Sequence, residues 1–566
     1  MTGPAEPGPP ATAGTIHQGP PAPGPAGRDY SEPGADPEAT RLITPRSAKR
    51  RYVLISALTW LPPGLQMATM VLLMQTRGLG LASVGLAIAV FSLTVASLEL
   101  PTGGLADVIG RRAVLAASGA VGLVAMLWLA FATTLWQFLA IAVLKAVARA
   151  LSSGPAEAWY VDTVHASGET GGQLRRGLAA GATAGGAALA VGTLTGGSLP
   201  LLLPRLGAWP QDAILIPMST PMLLAALAYV ALLAATMIGM PEPHRASDPV
   251  PAVREVMRDV PAAVVRGVVL GVRDGLLTRV LLTALGLGVA LNAIEMLTPG
   301  RLADLTGDPE TAGTAYGVVA AVGFAAVAVG SALSPVTARL LAPRDRHPTL
   351  IPSAALAPAS SPTPREAAAT SADTAIANRA ADTASRTTGA AAVMSSRSTD
   401  IVTAGRTAAA GAVLAAMSLG SLAASASLDG APGIVAAALA YTGMFIGLGI
   451  AEPVRSELLH RRVSGAERAT VLSVDSLLLQ IGGGLGALGL GTLAASWSVA
   501  PAWWVAASML LAAASLFLTR QRPKLPAVPV DQGVRVATRR HDTNESLDQR
   551  AATSTRAVAD TRAATR

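Results

Sequence analysis

Cysteine is absent from this chain of 566 residues, and lysine occurs only as Lys49, Lys145 and Lys524. The absence of cysteine excludes disulfides, thiolate metal sites and cysteine nucleophiles. No lysine follows a glycine, so the chain lacks the Gly-Lys pair of a Walker A phosphate loop, and we do not expect an ATP-driven pump. The six histidines are scattered without ligand spacing, which favours solvated loop residues over a metal site. No nucleophile–base pair is recognisable either, so the sequence predicts neither an enzyme nor a bound cofactor.

Charge is also scarce, because charged residues make up 14% of the chain while hydrophobic residues make up 51%. Soluble domains carry about 25% charged residues. The net charge of +8 is compatible with nucleic-acid binding, but the arginines stand in short runs between apolar segments. That arrangement follows the positive-inside rule of membrane proteins rather than a phosphate-binding surface. We therefore expect a protein of the lipid bilayer with no nucleic-acid partner.

Twelve apolar segments are long enough to cross a membrane as helices, which takes about 20 residues each. The first six are Tyr52–Gln75, Ala82–Thr102, Ala113–Thr133, Trp136–Ala158, Gly177–Leu203 and Ala213–Met240. The second six are Val280–Leu297, Ala315–Ala338, Thr407–Ser427, Gly433–Ala451, Thr470–Ala494 and Pro501–Leu518. One set of connecting loops and both flanks are rich in arginine, whereas the alternate loops hold only Arg77, Arg205 and Arg301. The sequence thus predicts a multi-pass protein of the cell membrane with both termini in the cytoplasm.

The composition divides the chain into regions. We expect a disordered N-terminal tail (1–50), a six-helix half (51–240), a cytoplasmic linker (241–279), helices 7 and 8 (280–341), a disordered cytoplasmic insert (342–406), helices 9 to 12 (407–519) and a disordered C-terminal tail (520–566). In the linker, Arg254, Arg258 and Arg266 lie opposite a row of valines. This spacing predicts an amphipathic helix at the membrane surface, and an ordinary solvated linker is the alternative.

Two short sequences recur in both halves of the chain. Gly-Gly-Leu at Gly103 corresponds to Gly-Ser-Ala-Leu at Gly330, with an offset of 227 residues. Gly-Pro-Ala-Glu ending at Glu157 corresponds to Gly-Ile-Ala-Glu ending at Glu452, with an offset of 295. The two offsets differ by 68, close to the length of the predicted insert. A duplication of six helices with one insertion accounts for both.

The strongest motif lies between predicted helices 2 and 3 and reads Gly103-Gly104-Leu105-Ala106-Asp107-Val108-Ile109-Gly110-Arg111-Arg112. Its glycines permit a tight turn, and Asp107 can pair with Arg111 four residues later. The motif resembles the signature loop of the major facilitator superfamily, with Val108 in place of the usual basic residue. The resemblance implies an all-α bundle of twelve transmembrane helices in two six-helix halves. It also implies that Gly103, Asp107, Gly110, Arg111 and Arg112 form a conformational switch in which Asp107 braces the start of helix 11 near Ala469–Thr470. A basic turn without a switching role is the alternative.

Two weaker patterns are open to two interpretations. Gly192-Thr193-Leu194-Thr195-Gly196-Gly197 in helix 5 resembles the antiporter motif of the superfamily, but small residues also allow helices to pack closely whatever the function. In helix 1, Trp60 and Gln66 flank Pro62 and Pro63. These residues indicate either a cavity for amphiphilic or aromatic substrates or a purely structural kink.

Ionisable residues inside the apolar segments are candidates for function, because a charge in the membrane is costly without a partner or water. Lys145 and Arg149 share one face of helix 4, and Glu295 lies deep in helix 7 with Asn292. Glu99, Glu295 and Asp475 are candidates for proton coupling, since a carboxylate away from water can exchange protons near neutral pH. The alternative for Glu99 and Asp475 is a static ion pair, such as Glu99 with Arg149. Glu295 has no basic partner in its own helix.

These features predict secondary active transport of a small organic molecule by alternating access. The motifs most resemble those of bacterial drug/proton antiporters, which implies proton-coupled efflux by a monomer. Uptake of a nutrient by proton symport is one alternative. A transporter-like scaffold or sensor that no longer transports is another, with which Ser334 at the aspartate position of the second-half motif is compatible.

Overall fold

The computed structural model describes residues 44–167, 172–207, 214–242, 271–342, 400–462 and 465–518, and the isolated positions 258, 262, 265 and 269. All regular elements among these residues are helical. Twelve of the helical segments in this part of the chain are long and apolar enough to span a membrane. The predicted fold class and number of crossings are thereby confirmed.

We number the spanning helices α1 to α12, and two of them are broken into segments a and b. Those of the first half are α1a (Pro45–Met67), α1b (Met70–Thr76), α2 (Leu81–Ile109), α3 (Arg111–Phe131), α4a (Leu135–Ser152), α4b (Pro155–Ala166), α5 (Gly172–Leu206) and α6 (Thr220–Gly239). Those of the second half are α7 (Gly275–Thr306), α8 (Pro309–Leu341), α9 (residues 400–424), α10 (Gly430–Arg462), α11 (Gly465–Ser496) and α12 (Val499–Leu518). Two 3-10 turns, Pro217–Ser219 and Ser425–Ser427, precede α6 and follow α9.

Three helices extend into regions that the sequence assigned to the N-terminal tail, the linker and the insert, and these region boundaries are corrected accordingly. Residues 45–50, 275–279 and 400–406 are helical rather than parts of a tail, a linker and an insert. The reason is capping: the Thr44 side chain accepts a hydrogen bond from Ser47 N (3.3 Å), and Asp274 accepts one from Leu276 N (2.8 Å). Capping residues are polar and precede the apolar segment, so a prediction from hydropathy does not include them in the helix.

Most of the linker, the insert and both tails lies outside the described residues. In the linker, positions 258, 262, 265 and 269 are each helical and exposed. The amphipathic helix and the disorder of the insert and tails stay predictions.

The packing repeats between the two halves. In the first half α1a packs on α5, α2 on α4a and α3 on α6; in the second, α7 packs on α11 and α8 on α10. The ring of Trp504 in α12 lies against Gly420 in α9, which completes the correspondence. The halves meet along α2 with α11 and α5 with α8. The duplication proposed from the sequence offsets is therefore present in the fold.

Glycines allow the close helix approaches. The Cα atoms of Gly64 in α1a and Gly192 in α5 lie back to back, so that a Cβ at Gly192 would come within 2.8 Å of the Leu61 carbonyl oxygen. A Cβ at Gly317 in α8 would come within 2.8 Å of the Thr193 carbonyl oxygen across the two halves. These contacts give the small residues of α5 a packing role.

The two ends of the bundle differ. We call the end that carries residues 44 and 518 the terminal side and the other end the far side. Close backbone approaches between the halves, Gly85 with Gly491 and Gly197 with Gly317, lie near the far side. The Gln75 side chain at the end of α1b also packs on Gly300 in α7 there. The backbones of the two halves are thus in close contact on the far side.

Candidate functional site

A cavity of about 320 Å³ lies between the two halves. Its volume falls at the lower end of the range for small-molecule pockets, about 300–1,000 Å³. Of the eight residues that the sequence singled out as candidates for a cavity, charge pairing or proton coupling, six line the cavity: Trp60, Gln66, Lys145, Arg149, Asn292 and Glu295. Glu99 and Asp475 do not line it.

One wall of the cavity is cationic. The ammonium of Lys145 lies 2.9 Å from the Met70 sulfur and 5.7 Å from the centroid of the Phe91 ring. The guanidinium of Arg149 lies over the Trp60 ring, 5.0 Å from its centroid, a cation–π contact. No carboxylate among the described residues forms an ion pair with either cation. The Glu99–Arg149 ion pair, offered as the alternative to proton coupling, is therefore not formed within 4.0 Å.

The opposite wall, from α7, carries Glu295 and Asn292. Glu295 has neither a hydrogen bond nor an ion pair with any described residue. The Asn292 amide is held in place, because its Nδ2 donates to the Gly288 carbonyl at 3.1 Å. Across from them, the buried Oε1 of Gln66 accepts no hydrogen bond. The cavity thus holds a carboxyl group and an amide oxygen that are free to meet a ligand.

Aromatic side chains fill much of the remaining lining. Phe91 of α2, Tyr229 of α6 and Phe324 of α8 join Trp60 around the cavity. The sequence did not predict these three. In a span that is apolar on all faces, the sequence does not show whether an aromatic side chain points to the cavity or to the lipid.

Glu99 links the halves instead of pairing within its own. Its Oε2 accepts a hydrogen bond from Ser476 Oγ of α11 at 2.7 Å. This bond joins α2 of the first half to α11 of the second.

Asp475 forms the static ion pair that was the alternative to proton coupling. Its carboxylate accepts two hydrogen bonds from Arg455 Nη1, at 2.6 and 2.9 Å. Arg455 also pairs with Glu452 at 3.0 Å, and Arg455 and Asp475 are both buried. Sequence reasoning placed Arg455 in a loop because the hydropathy falls after Ala451, whereas α10 continues to Arg462. Asp475 is accordingly tied into a triad within the second half.

The signature loop turns at Gly110, whose φ of 111° is a conformation that favours glycine. Arg111 pairs with Asp107 at 3.7 Å and with Asp162 of α4b. Glu242, which follows α6, accepts a hydrogen bond from Arg111 N at 2.8 Å. Its carboxylate caps the start of α3, where the helix dipole favours an anion. Neither Asp162 nor Glu242 was predicted.

One part of the signature loop differs from the prediction, and another prediction concerns side chains outside the described residues. Gly103 is inside α2 rather than in a turn, and Arg112 stands in the first turn of α3. The contact of Asp107 with Ala469–Thr470 stays a prediction, because the side chains of residues 461–469 are outside the described residues.

Helices 1 and 4 are each interrupted at a position that the sequence analysis did not predict. α1a runs through Pro62 and Pro63 to Met67, and the interruption follows at residues 68–69. Neighbouring groups in membrane bundles satisfy the backbone groups that proline frees, so the helix continues. The predicted fourth span breaks at Ser153–Gly154, because Gly154 has a φ of 95°.

Residues 52–364, more than half of the chain, match the profile of the Major Facilitator Superfamily. The chain belongs to this superfamily. It is therefore a membrane transporter of small molecules, and its cavity lies where transporters with repeated halves hold their substrates, at the interface between the repeats. No curated protein sequence matches the chain.

Solved transporters of the same superfamily share the fold. The nucleoside transporter NupG superposes with a TM-score of 0.58 at 12% identity, over 83% of this chain and 98% of its own. A bacterial homologue of the human lysosomal transporter Spinster, inward-facing and unoccupied, gives 0.55 at 14% identity, over 86% and 95%. A POT family transporter in complex with 5-aminolevulinic acid gives 0.54 at 11% identity, over 83% and 95%. At these identities the likeness concerns the fold alone.

Proposed function

We propose that this transporter is a proton-coupled efflux protein that exchanges a small organic molecule for protons. In this proposal the terminal side is cytoplasmic, as the arginine distribution predicts. The observation that carries the proposal is the position of Glu295. It faces the cavity between the halves without a hydrogen bond or ion pair to any described residue.

Glu295 can gain or lose a proton without breaking a structural contact, which distinguishes it from the other two candidates. Protonation of Asp475 would break its two hydrogen bonds with Arg455, and protonation of Glu99 would disturb its bond with Ser476. An exchange site must switch repeatedly between its loaded states. We therefore assign proton exchange to Glu295.

Exchange follows if the proton and the substrate occupy the cavity in turn. With the halves joined on the far side, substrate enters from the terminal side and displaces the proton of Glu295. After the halves rock, the cavity faces the far side, where Glu295 binds a proton and the substrate leaves. The network of Asp107, Arg111, Asp162 and Glu242 ties the ends of α2, α3 and α4b together, and we propose that it biases this rocking motion.

The sign of proton movement tests the proposal. The purified protein is reconstituted into liposomes that contain the pH indicator pyranine, and amines, amino acids, carboxylates and neutral aromatic molecules are added outside. Under antiport, entry of a substrate drives protons out, so the interior becomes more alkaline than in protein-free liposomes given the same compound, whichever way the protein is inserted. Acidification of the interior would instead indicate symport uptake. If no compound changes the internal pH, the protein is not a proton-coupled transporter, as the scaffold alternative requires.

A further inference from the structure

The cavity carries charges of both signs, and the two signs lie on different halves of the protein. Lys145 and Arg149 belong to α4a in the first half, whereas Glu295 belongs to α7 in the second. No ion pair within 4.0 Å joins Glu295 to either cation. Charges buried without partners are unfavourable, and those kept inside membrane segments mark substrate or ion pathways. Among the described residues, Lys145, Arg149 and Glu295 form no ion pair, although Arg149 contacts the Trp60 ring and lies within the electrostatic influence of Glu99.

The ammonium of Lys145 and the carboxyl group of Glu295 lie at about the same depth in the bundle. Lys145 contacts Met70, five residues before Gln75. Gln75 packs on Gly300, which lies five residues after Glu295. Because α1 and α7 run in the same direction through the bundle, Met70 and Glu295 occupy corresponding levels. The cation and the acid therefore line the cavity at one level, from different halves of the protein.

The cavity lining contains hydrogen-bond donors and acceptors that have no strong partner among the described residues. A lysine ammonium has three N–H donors, and the only hydrogen-bond acceptor that it meets among the described residues is the weakly accepting sulfur of Met70. Gln66, from α1a of the first half, adds a buried Oε1 acceptor that no described residue uses. The aromatic rings around the cavity suit an apolar body between two polar ends.

We propose that the substrate is a small zwitterion with an apolar body, whose anionic group binds Lys145 and Arg149 and whose ammonium group binds Glu295 and Gln66. This inference rests on the proposed function. A zwitterion neutralises both walls together, whereas a singly charged molecule leaves one wall without a partner in a low-dielectric site. The ammonium group and the proton then compete for one carboxylate, which is what exchange requires.

Calorimetric titration of the full-length protein in detergent micelles, with empty micelles as the blank, tests this proposal with matched compounds. The first set consists of L-phenylalanine, phenethylamine, 3-phenylpropanoate and 3-phenyl-1-propanol. The second consists of L-tryptophan, tryptamine and indole-3-propionate, and the third of L-leucine, isoamylamine and 4-methylpentanoate. We expect the zwitterion of at least one set to bind about 10- to 100-fold more tightly than its singly charged and neutral relatives, as the loss of one charged hydrogen bond implies.

Single substitutions then test which protein residue binds each charged group of the ligand. Glu295→Gln should remove the preference for the zwitterion over the carboxylate, and Lys145→Met should remove the preference over the amine. Asp304→Asn, at an exposed position farther along α7, and Lys49→Met, at an exposed position in α1a, are the matched controls and should change neither preference. A variant that loses stability is replaced by Arg149→Gln or Gln66→Leu, which remove the second partner proposed for the anionic group and for the ammonium group.

The outcomes separate this proposal from the proposed function. Tightest binding by an amine, a carboxylate or a neutral member in all three sets overturns the zwitterion, and so does a lack of binding by every zwitterion. If such a compound still makes pyranine-loaded liposomes alkaline, proton-coupled efflux stands without the zwitterion. If no compound binds and none changes the internal pH, both proposals fail.

Discussion

Glu295→Gln is expected to abolish transport driven by a pH gradient while exchange of substrate across the membrane persists at saturating concentration. The amide has the shape of the protonated carboxyl group but cannot release a proton. A gradient of one pH unit is equivalent to about 1.4 kcal/mol, which supports about tenfold accumulation when one proton is exchanged per substrate. In the variant this accumulation ratio should fall to about one. Counterflow of labelled substrate in proteoliposomes, with and without the gradient, measures both quantities.

Asp304→Asn is the matched control for this change, because it removes an exposed carboxylate of the same helix. Its accumulation ratio should equal that of the wild type. Undiminished accumulation in Glu295→Gln would show that proton coupling resides elsewhere, and Glu99 would become the next residue to replace.

Arg455→Met is expected to produce the largest loss of stability of any single change at the sites described above. Arg455 and Asp475 are both buried, and the substitution leaves Asp475 charged without its partner. Removing one partner of a buried ion pair destabilises a protein by about 3–5 kcal/mol. The apparent melting temperature of the purified protein should therefore fall by on the order of 10 °C.

A second substitution separates loss of the charge pair from loss of packing. The double variant Arg455→Met with Asp475→Asn has no buried charge left over and should recover most of the lost stability. Arg339→Met, at an exposed position near the end of α8, should stay within about 0.5 kcal/mol of the wild type. If the double variant is as unstable as Arg455→Met, the triad does not act through charge compensation.

The sequence was sufficient to predict the number of crossings and the internal repeat, because hydropathy and small-residue motifs are local signals. Polar residues were equally visible, since a Glu295 or a Lys145 stands out in an apolar run. Six of the eight residues chosen as candidates for the cavity or for buried charge line the cavity. Glu99 and Asp475 were chosen on the same ground but lie outside the cavity. The depth of a residue in its helix therefore does not predict which residues of other helices its side chain contacts.

The sequence did not predict which residues of other helices form hydrogen bonds with the candidate site residues. Glu242 reaches the start of α3 from 131 positions away, and Ser476 reaches Glu99 from 377 positions away. Helix ends were misplaced for a related reason: a cap such as Asp274 stabilises a helix through hydrogen bonds rather than hydropathy. The break after Met67 has no signal in its own residues, because the stronger helix breakers, Pro62 and Pro63, lie inside α1a.

Alternating access opens the cavity to each side of the membrane in turn, and the accessibility of Thr59 measures this. Thr59 lines the cavity, and the chain has no native cysteine, so Thr59→Cys supplies a single, nearly isosteric probe. Lys49→Cys, exposed at the terminal side, reports the orientation of the protein. Right-side-out and inverted membrane vesicles are treated with a membrane-impermeant thiol reagent. We predict that the cysteine at position 59 reacts from both sides and the cysteine at position 49 only in inverted vesicles. Reaction of the cysteine at position 59 from one side alone, under pH gradients of either direction, would contradict the account.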